Sequence, residues 1–258
     1  MNDNPVKQAL QNGKATMGTF VGLGSPHVTE LLAHAGFDWL VLETEHSAVN
    51  APQIETMLMA MSGTETTPIV RVTRGDPIEI QRALDIGGMG VLVPMLRTAD
   101  EVARVVEATR YPPVGKRGFG PLRASRYAHD YEDYLARAND HIIVAMILET
   151  KEAVENLDEI AAVPGLDVIF LGLYDLCLSY GRNPIEMPHP ESDAAIERAL
   201  EVGKKHDVAI GTGAGTPKEV QERLAEGFSF VSYSTDYFML KNTAGEGIQA
   251  FKTSPAAK

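Results

Sequence analysis

The 258-residue chain has a single cysteine, Cys177, and no long hydrophobic segment. A single thiol excludes an intramolecular disulfide framework and favours a reducing compartment. No apolar run approaches the roughly 18 residues that a membrane-spanning helix needs. Residues 1–14 are polar and lack the apolar core of a signal peptide. We therefore predict a soluble, cytoplasmic protein with no membrane partner.

Positive charge is also scarce. The chain has 23 Lys and Arg against 35 Asp and Glu, which gives a net charge of −12 and a pI near 5.0. This balance argues against nucleic-acid binding. Hydrophobic residues make up 44% and charged residues 22%, an ordinary globular profile with enough material for a core.

Short apolar segments alternate with segments of helical periodicity along the chain. Eight units of this kind in about 250 residues predict a single-domain (β/α)8 TIM barrel over residues 1–258, rather than a doubly wound open sheet. Residues 111–140 are the longest irregular stretch, and we expect it to be functional or interface-forming. The predicted strands are 16–23, 39–44, 68–73, 90–95, 142–149, 166–173, 208–212 and 229–234. The predicted helices are 26–35, 77–86, 98–110, 151–162, 191–206, 217–226 and 236–252.

Two carboxylates, Glu149 and Asp175, each follow a near-continuous apolar run. Such runs are typical of buried parallel strands, so both acids are expected at the rim of the barrel. Two acids from neighbouring strands could provide the oxygen ligands of a divalent-metal site.

Other polar residues follow the second and third predicted strands. Glu43, Glu45 and His46 come after the second strand, and Arg71 ends the third. An arginine can stabilise an oxyanion, and a histidine can transfer protons near neutral pH. If Arg71 points into the barrel, it needs an anionic partner. The alternatives are solvated loop acids, an exposed or helix-capping histidine and, for Asp85, an ordinary solvated helix face.

Several segments resemble the HpcH/HpaI family of metal-dependent pyruvate aldolases. The resemblance runs from about residue 18 to residue 251 and keeps the family's motif order. It is carried by residues 39–46 (WLVLETEH), 68–72 (PIVRV), 84–87 (LDIG), 91–95 (VLVPM), 109–118 (TRYPPVGKRG), 148–149 (LE) and 171–176 (LGLYDL).

This resemblance implies a (β/α)8 barrel of the phosphoenolpyruvate/pyruvate-binding type and a role for each site residue. The divalent metal, Mg²⁺ or Mn²⁺ with Co²⁺ or Zn²⁺ as further options, would be held by Glu149 and Asp175. Arg71 would stabilise the enolate oxygen, and His46 paired with Asp85 would serve proton transfer. The expected substrate-binding residues are Arg71, Gly172, Tyr174, Asp175, Arg123 and Glu43.

The implied reaction is the reversible cleavage of a 4-hydroxy-2-oxo acid to pyruvate and an aldehyde through a metal-bound pyruvate enolate. A Schiff-base lysine is not required, and the strand exits named above carry none. The alternatives are a citrate-synthase-like condensation of a 2-oxo acid with an acyl-CoA, oxaloacetate decarboxylation, and a barrel that binds a metabolite without catalysis.

The chain departs from the family pattern at Glu43 (usually Asp), Leu173 (usually Pro) and Cys177 (usually Ser). Cys177 is interpreted as a packed, inert thiol. Residues 118–127, with Arg123 and Arg126, are expected to set aldehyde specificity or to form subunit salt bridges. The glycine-rich residues 211–215 are expected to follow the seventh strand. The resemblance also implies a homo-oligomer, a trimer-based hexamer in which helix 236–252 is exchanged between subunits.

Overall fold

Eight parallel strands close into a barrel in the computed structural model, which describes residues 3–254. The predicted (β/α)8 barrel and each predicted strand are confirmed, with strand ends shifted by a few residues. The seventh strand runs two residues further than predicted, so Gly211 and Gly213 lie within it rather than after it. The strands are β1 Thr16–Val21, β2 Trp39–Glu43, β3 Thr67–Arg71, β4 Gly90–Val93, β5 Ile143–Leu148, β6 Val168–Leu171, β7 Ala209–Ala214 and β8 Phe230–Thr235.

Most of the helices connect the strands on the outside of the barrel, while the first precedes β1 and the last follows β8. They are α1 Pro5–Gln11, α2 Pro26–His34, α3 Ala51–Ala60, α4 Pro77–Asp85, α5 Ala99–Thr109, α6 Tyr131–His141, α7 Lys151–Glu155, α8 Leu157–Ala161, α9 Leu173–Ser179, α10 Pro190–His206, α11 Pro217–Glu226 and α12 Asp236–Thr253, with a 3₁₀ turn at Pro184–Glu186. Each predicted helix is present, although 151–162 is split into α7 and α8 at Asn156.

Local capping explains where many of these helices begin. The Thr98 side chain accepts a hydrogen bond from the Glu101 N–H, and the Glu101 carboxylate accepts one from the Thr98 N–H. This reciprocal capping box satisfies two N–H groups that the first turn leaves unpaired. Ser25 and Thr216 cap α2 and α11 in the same position, each before a proline that suits the first helical turn.

The prediction that residues 111–140 are irregular is wrong for the C-terminal part of this segment, where α6 forms. Its sequence carries the helical signal: Glu132 and Asp133 lie in the first turn, and Tyr134 and Ala138 are buried four residues apart. The short helices α1, α3 and α9 were also not predicted. Residues 111–130 remain a long loop of turns.

The interior of the barrel is filled with side chains up to the level of the site. The Trp39 ring stacks on Phe230 with ring centroids 3.9 Å apart. A Cβ on Gly18 would lie 2.0 Å from the Trp39 ring, so only glycine lets β1 pass this side chain. A second apolar layer packs between the strands and the outer helices. Like other TIM barrels, the structure is therefore a packed core and not a pore.

The N-terminal end of the barrel is closed by α1. Lys7 is buried there, and its ammonium donates to the Ile142 carbonyl at 2.8 Å and to Asp167 at 2.9 Å. Burial lowers the pKa of Lys7, and Asp167 partly opposes this shift. These two contacts tie α1 to the segments just before β5 and β6.

Helix α12 differs from the other long helices because almost all of it is exposed. Among its residues only Asp236 is buried, while Leu240, Ile248 and Phe251 are more than half exposed. Within residues 3–254, no helix combines the length and apolar character needed to cross a membrane.

Candidate active site

A cavity of about 620 Å³ opens at the C-terminal ends of the strands. This is the end at which TIM-barrel enzymes carry their active sites. Six of the residues predicted from the sequence border it: His46, Arg71, Glu149, Gly172, Tyr174 and Asp175.

Glu149 is held at the end of β5 by a backbone contact. Its side chain is only 4% exposed, and its Oε1 accepts a hydrogen bond from the Met95 N–H at 2.5 Å. Met95 has a φ of 60°, a left-handed conformation that is uncommon outside glycine. Burial raises the pKa of Glu149; the Met95 N–H and Arg71 lower it, while Glu45 and Asp175 raise it further.

Gly172 lets the start of α9 approach Glu149. The pairing of Leu148 with Leu171 puts the next residues of the two strands, Glu149 and Gly172, side by side. A Cβ on Gly172 would lie 2.8 Å from Ile147 Cγ2 and 3.0 Å from Glu149 Cβ. A side chain at position 172 would therefore displace the carboxylate.

Arg71 is clamped between two acids. Its Nη1 lies 2.8 Å from Glu43 Oε2, and its Nη2 lies 2.5 Å from Glu45 Oε2. The register of β2 and β3 pairs Glu43 directly with Arg71. The expectation that a buried Arg71 needs an anionic partner is thus confirmed, and it has two.

Glu43 also organises the turn after β2. Its Oε1 accepts hydrogen bonds from the backbone N–H groups of Glu45, at 2.6 Å, and His46, at 3.0 Å. Glu43 is buried and is not among the residues that border the cavity. Its contacts are those of a residue that supports Arg71 and the turn.

Glu45 is a functional candidate to which the sequence reasoning assigned no role. Its Oε2 bridges Arg71 and His46, lying 3.5 Å from His46 Nε2. Burial raises the pKa of Glu45; Arg71 and His46 lower it, and Glu43 and Asp175 raise it further. The sequence feature that marks Glu45 as a candidate is its position after β2, next to His46. Its contacts with Arg71 and His46 are defined only by the fold.

The charge on this rim fits a divalent cation. Glu43, Glu45, Glu149 and Asp175 are balanced by one guanidinium, that of Arg71. Carboxylate oxygens are ligands that hard divalent cations prefer. Over residues 3–254, no group of three or more His, Cys, Asp or Glu is arranged to hold a metal. Glu149 and Asp175 could therefore serve as two protein ligands, with substrate and water oxygens completing the site.

His46 and Asp85 do not meet within one chain. The His46 side chain is 62% exposed, and its acidic neighbour is Glu45. Asp85 is the last residue of α4, and its Oδ1 accepts a hydrogen bond from Arg117 Nη2 at 2.7 Å. Because α4 runs back from the end of β3 towards the start of β4, Asp85 lies at the opposite end of the barrel from His46.

The arginines of the loop 118–127 likewise make contacts away from the cavity. Arg123 Nη1 donates to the carbonyl of Ile86 at 2.9 Å, and its Nη2 donates to Ser62 Oγ at 3.3 Å. Arg126 pairs with Asp130. Within its own chain, Arg123 therefore supports the end of α4 and does not reach the substrate cavity.

Of the two departures from the family pattern near Asp175, Leu173 lies at the cavity and Cys177 lies in the protein interior. Leu173 borders the cavity, and so does Tyr174, which is well exposed. Cys177 is buried, in keeping with a packed thiol. The change at Leu173 can therefore affect substrate binding directly.

Comparison with known proteins identifies the family. The sequence model of the HpcH/HpaI aldolase/citrate lyase family matches residues 16–243. The chain belongs to this family. A 4-hydroxy-2-oxo-heptane-1,7-dioate aldolase of Escherichia coli is 39% identical over 246 residues, covering 94% of this chain and 92% of the relative.

Two solved structures show the same barrel. An HpcH/HpaI aldolase/citrate lyase family protein from Burkholderia cenocepacia J2315 superposes with a TM-score of 0.92 at 32% identity, covering 97% of this chain and all of the other. The citrate synthase SbnG superposes with a TM-score of 0.85 at 28% identity, covering 95% and 96% of the two chains.

Family membership and the aldolase relatives confirm the function predicted from the sequence. The protein is a carbon–carbon lyase of the aldolase class that acts on small-molecule 2-oxo acids. The aldolases of this family are in general metal-dependent.

Proposed function

We propose that the protein is a divalent-metal-dependent aldolase that reversibly cleaves a 4-hydroxy-2-oxo acid to pyruvate and an aldehyde. The observation that carries this proposal is a cavity wall with the carboxylates of Glu149 and Asp175 and the guanidinium of Arg71, which is itself paired with Glu43 and Glu45. Such a wall suits both a hard cation and an enolate oxygen.

Glu149 and Asp175 would hold the cation. Mg²⁺ or Mn²⁺ is our first choice because the ligands are oxygens, and Co²⁺ or Zn²⁺ would also be accepted. When bound, the cation would supply Lewis-acid stabilisation of negative charge on the substrate oxygens. The neighbouring Gly172, Tyr174 and Asp175 would position the 2-oxo acid.

Arg71 would face the negative charge that develops on the keto oxygen. Glu43 and Glu45 hold the guanidinium from two sides, so its donors are oriented before the substrate binds. Pre-oriented donors are effective because they need no reorganisation during the reaction.

His46 would move the proton between the pyruvate methyl group and water. Glu45, at 3.5 Å, can orient the ring and stabilise its protonated form. Asp85 would reach a His46 only from another subunit, since it lies at the far end of its own barrel. Arg123 would likewise act on substrate only across a subunit boundary, and Glu43 would act through Arg71.

The exposed helix α12 supports assembly into a homo-oligomer. Its apolar side chains at Leu240, Ile248 and Phe251 have little protein around them, and packing on another subunit would bury them. We propose a trimer-based hexamer that exchanges α12, in the cytoplasm. Sedimentation of the purified protein as a monomer would contradict the assembly.

Condensation of a 2-oxo acid with an acyl-CoA is the second candidate, favoured by the structural similarity to the citrate synthase SbnG. Oxaloacetate decarboxylation, which also forms pyruvate enolate, would be a side activity. Assays with acetyl-CoA plus oxaloacetate and with pyruvate plus aldehydes distinguish the two main reactions.

Exchange of the pyruvate methyl protons in deuterated water tests the proposal without knowledge of the aldehyde. We expect exchange with added Mg²⁺ or Mn²⁺ and its loss on chelation. Absence of metal-dependent exchange would refute the enolate mechanism. Glu149→Gln tests the metal site, and Glu159→Gln, at an acid of helix α8 away from the cavity, is the matched control.

A further inference from the structure

Two glycines on the inner face of β7 have different surroundings. A Cβ on Gly211 would lie 2.7 Å from the Phe230 carbonyl oxygen and 2.8 Å from Phe170 Cδ2, so packing requires glycine there. A Cβ on Gly213 would have no atom within 4 Å. Gly213 also does not have a positive φ. Neither packing nor backbone conformation explains the glycine at position 213.

Glycine inside a strand weakens it, because it provides no side chain for packing and loses much conformational entropy on folding. Such a residue often marks a place where a ligand approaches the backbone. Gly213 is exposed and borders the cavity. The missing side chain therefore leaves space inside the cavity itself.

Two serines of β8 lie beside this space. Gly213 pairs with Ser232, which follows Phe230 by two residues and so shares its inward direction. Ser232 borders the cavity although it is only 3% exposed, and within residues 3–254 its hydroxyl has no hydrogen-bond partner. Because Ser232 borders the cavity and its hydroxyl has no protein partner there, the hydroxyl is available to a ligand.

Ser234 borders the same part of the cavity and has a φ of 55°. This residue lies at a register shift between β1 and β8, an irregularity of the kind that re-aims side chains next to active sites. The inner face of β8 therefore presents two hydroxyl groups next to the space at Gly213.

The charged residues at the outer edge of this wall already have partners. Glu219 accepts a hydrogen bond from the Gly215 N–H at 2.7 Å. Arg223 pairs through Nη1 with Glu226 at 2.8 Å and lies over the Phe228 ring, while its buried Nε has no hydrogen-bond partner within residues 3–254. Because the charge of Arg223 is balanced by Glu226 and Glu219 already accepts a backbone N–H, this wall matches a neutral, hydroxyl-bearing group better than a charged one.

We propose that Gly213, Ser232 and Ser234 form a subsite for a hydroxyl-bearing carbon of the substrate. Gly213 provides the space, and the serines provide the hydrogen bonds. In the closed eight-strand barrel β7 lies four strands from β3, so the subsite lies across the cavity from Arg71. The inference rests on the proposed function, and the hydroxyl belongs either to the third carbon of the 2-oxo acid or to the aldehyde.

Two pairs of substrates with nearly equal shape distinguish these sources. Hydroxypyruvate is compared with 2-oxobutanoate as the donor, and glycolaldehyde with propanal as the acceptor for pyruvate. The subsite binds the hydroxyl of either the donor or the acceptor. For the pair that contains this hydroxyl, we expect kcat/KM to be about tenfold higher for the hydroxylated member, the effect of one good hydrogen bond. Ser232→Ala and Ser234→Ala should each move this ratio towards one. Ser229→Ala, just before β8 at the other end of the barrel, should leave it unchanged.

Variants of Gly213 test the space. Gly213→Leu should lower kcat/KM for the hydroxylated substrate relative to its shorter analogue, pyruvate or formaldehyde, by about 100-fold. Gly213→Ala should give an intermediate ratio. Its Cβ would meet no atom, so this variant should fold and can test the space even if Gly213→Leu does not fold.

Equal kcat/KM within both pairs of substrates would overturn the inference. So would serine variants that lower all rates with unchanged ratios, or a Gly213→Ala variant with the wild-type ratio. Failure of the proposed function has a different signature, because the wild-type protein would then show no metal-dependent exchange of the pyruvate methyl protons.

Discussion

Replacing Arg71 separates its catalytic contribution from its structural one. A lysine keeps the positive charge but is a compact point charge that cannot span Glu43 and Glu45 as the guanidinium does. One lost oxyanion donor costs about 3–4 kcal/mol of transition-state stabilisation, or roughly 100- to 1000-fold in rate. We expect pyruvate methyl exchange by Arg71→Lys to fall by about 100-fold.

Removal of the charge should also affect stability. Arg71→Ala leaves two largely buried carboxylates without a counter-charge, and breaking a buried ion pair in this way costs about 3–5 kcal/mol. For a chain of this size that corresponds to a fall in Tm of roughly 6–20 °C. Arg71→Lys should show a smaller fall, because it keeps one of the two pairs.

The assay follows proton exchange by NMR with saturating Mn²⁺ or Mg²⁺ and thermal unfolding by circular dichroism. Glu43→Gln is the matched control, because its amide oxygen can still accept the two backbone N–H groups while one ion pair is lost. We expect its rate to fall less than that of Arg71→Lys. If Arg71→Lys exchanges protons within threefold of the wild-type rate while its Tm falls, Arg71 has only a structural role and the catalytic argument is refuted.

Three further predictions concern the acids and Gly172. Glu149→Gln should weaken Mn²⁺ binding, measured by calorimetry, by at least about tenfold, while its amide oxygen still accepts the Met95 N–H; an unchanged Kd would remove Glu149 from the metal site. The pKa of Glu45 is raised by burial, so its charged form is disfavoured in the folded state and the metal-free protein should gain stability as pH falls through that pKa. Glu45→Gln should lose this part of the pH dependence of Tm, and an identical pH profile would contradict the assignment. Gly172→Ala should cost about 1–3 kcal/mol through overpacking and lower the exchange rate, whereas Gly245→Ala, where a Cβ meets no atom, should have neither effect.

Much of the site was predictable because a barrel brings its strand ends together. Arg71, Glu149 and Asp175 are far apart in the chain, but each follows an apolar run, and parallel strands end on the same side. The roles of these residues came from chemistry and from the family's motifs. The partners of Glu45 were not predictable, because Glu45 lies two residues beyond β2, where the alternation of a strand no longer determines the direction of a side chain.

The places of Asp85 and Gly213 could not be predicted from the sequence. The sequence identifies Asp85 as an acid on an amphipathic helix, but the direction of α4 puts it at the other end of the barrel. Gly213 looks like one member of a glycine-rich segment. Only the structure shows that Gly211 is required by packing and that Gly213 faces open space.

The sequence by itself determined the (β/α)8 barrel, the family and the chemistry of the strand ends. It did so because periodicity and local capping depend on neighbours along the chain. The tertiary structure alone decided that two acids clamp Arg71, that His46 lies beside Glu45 and not Asp85, and that β7 leaves a space opposite Arg71. These depend on strand register, helix direction and side-chain packing, which become defined only when the barrel closes.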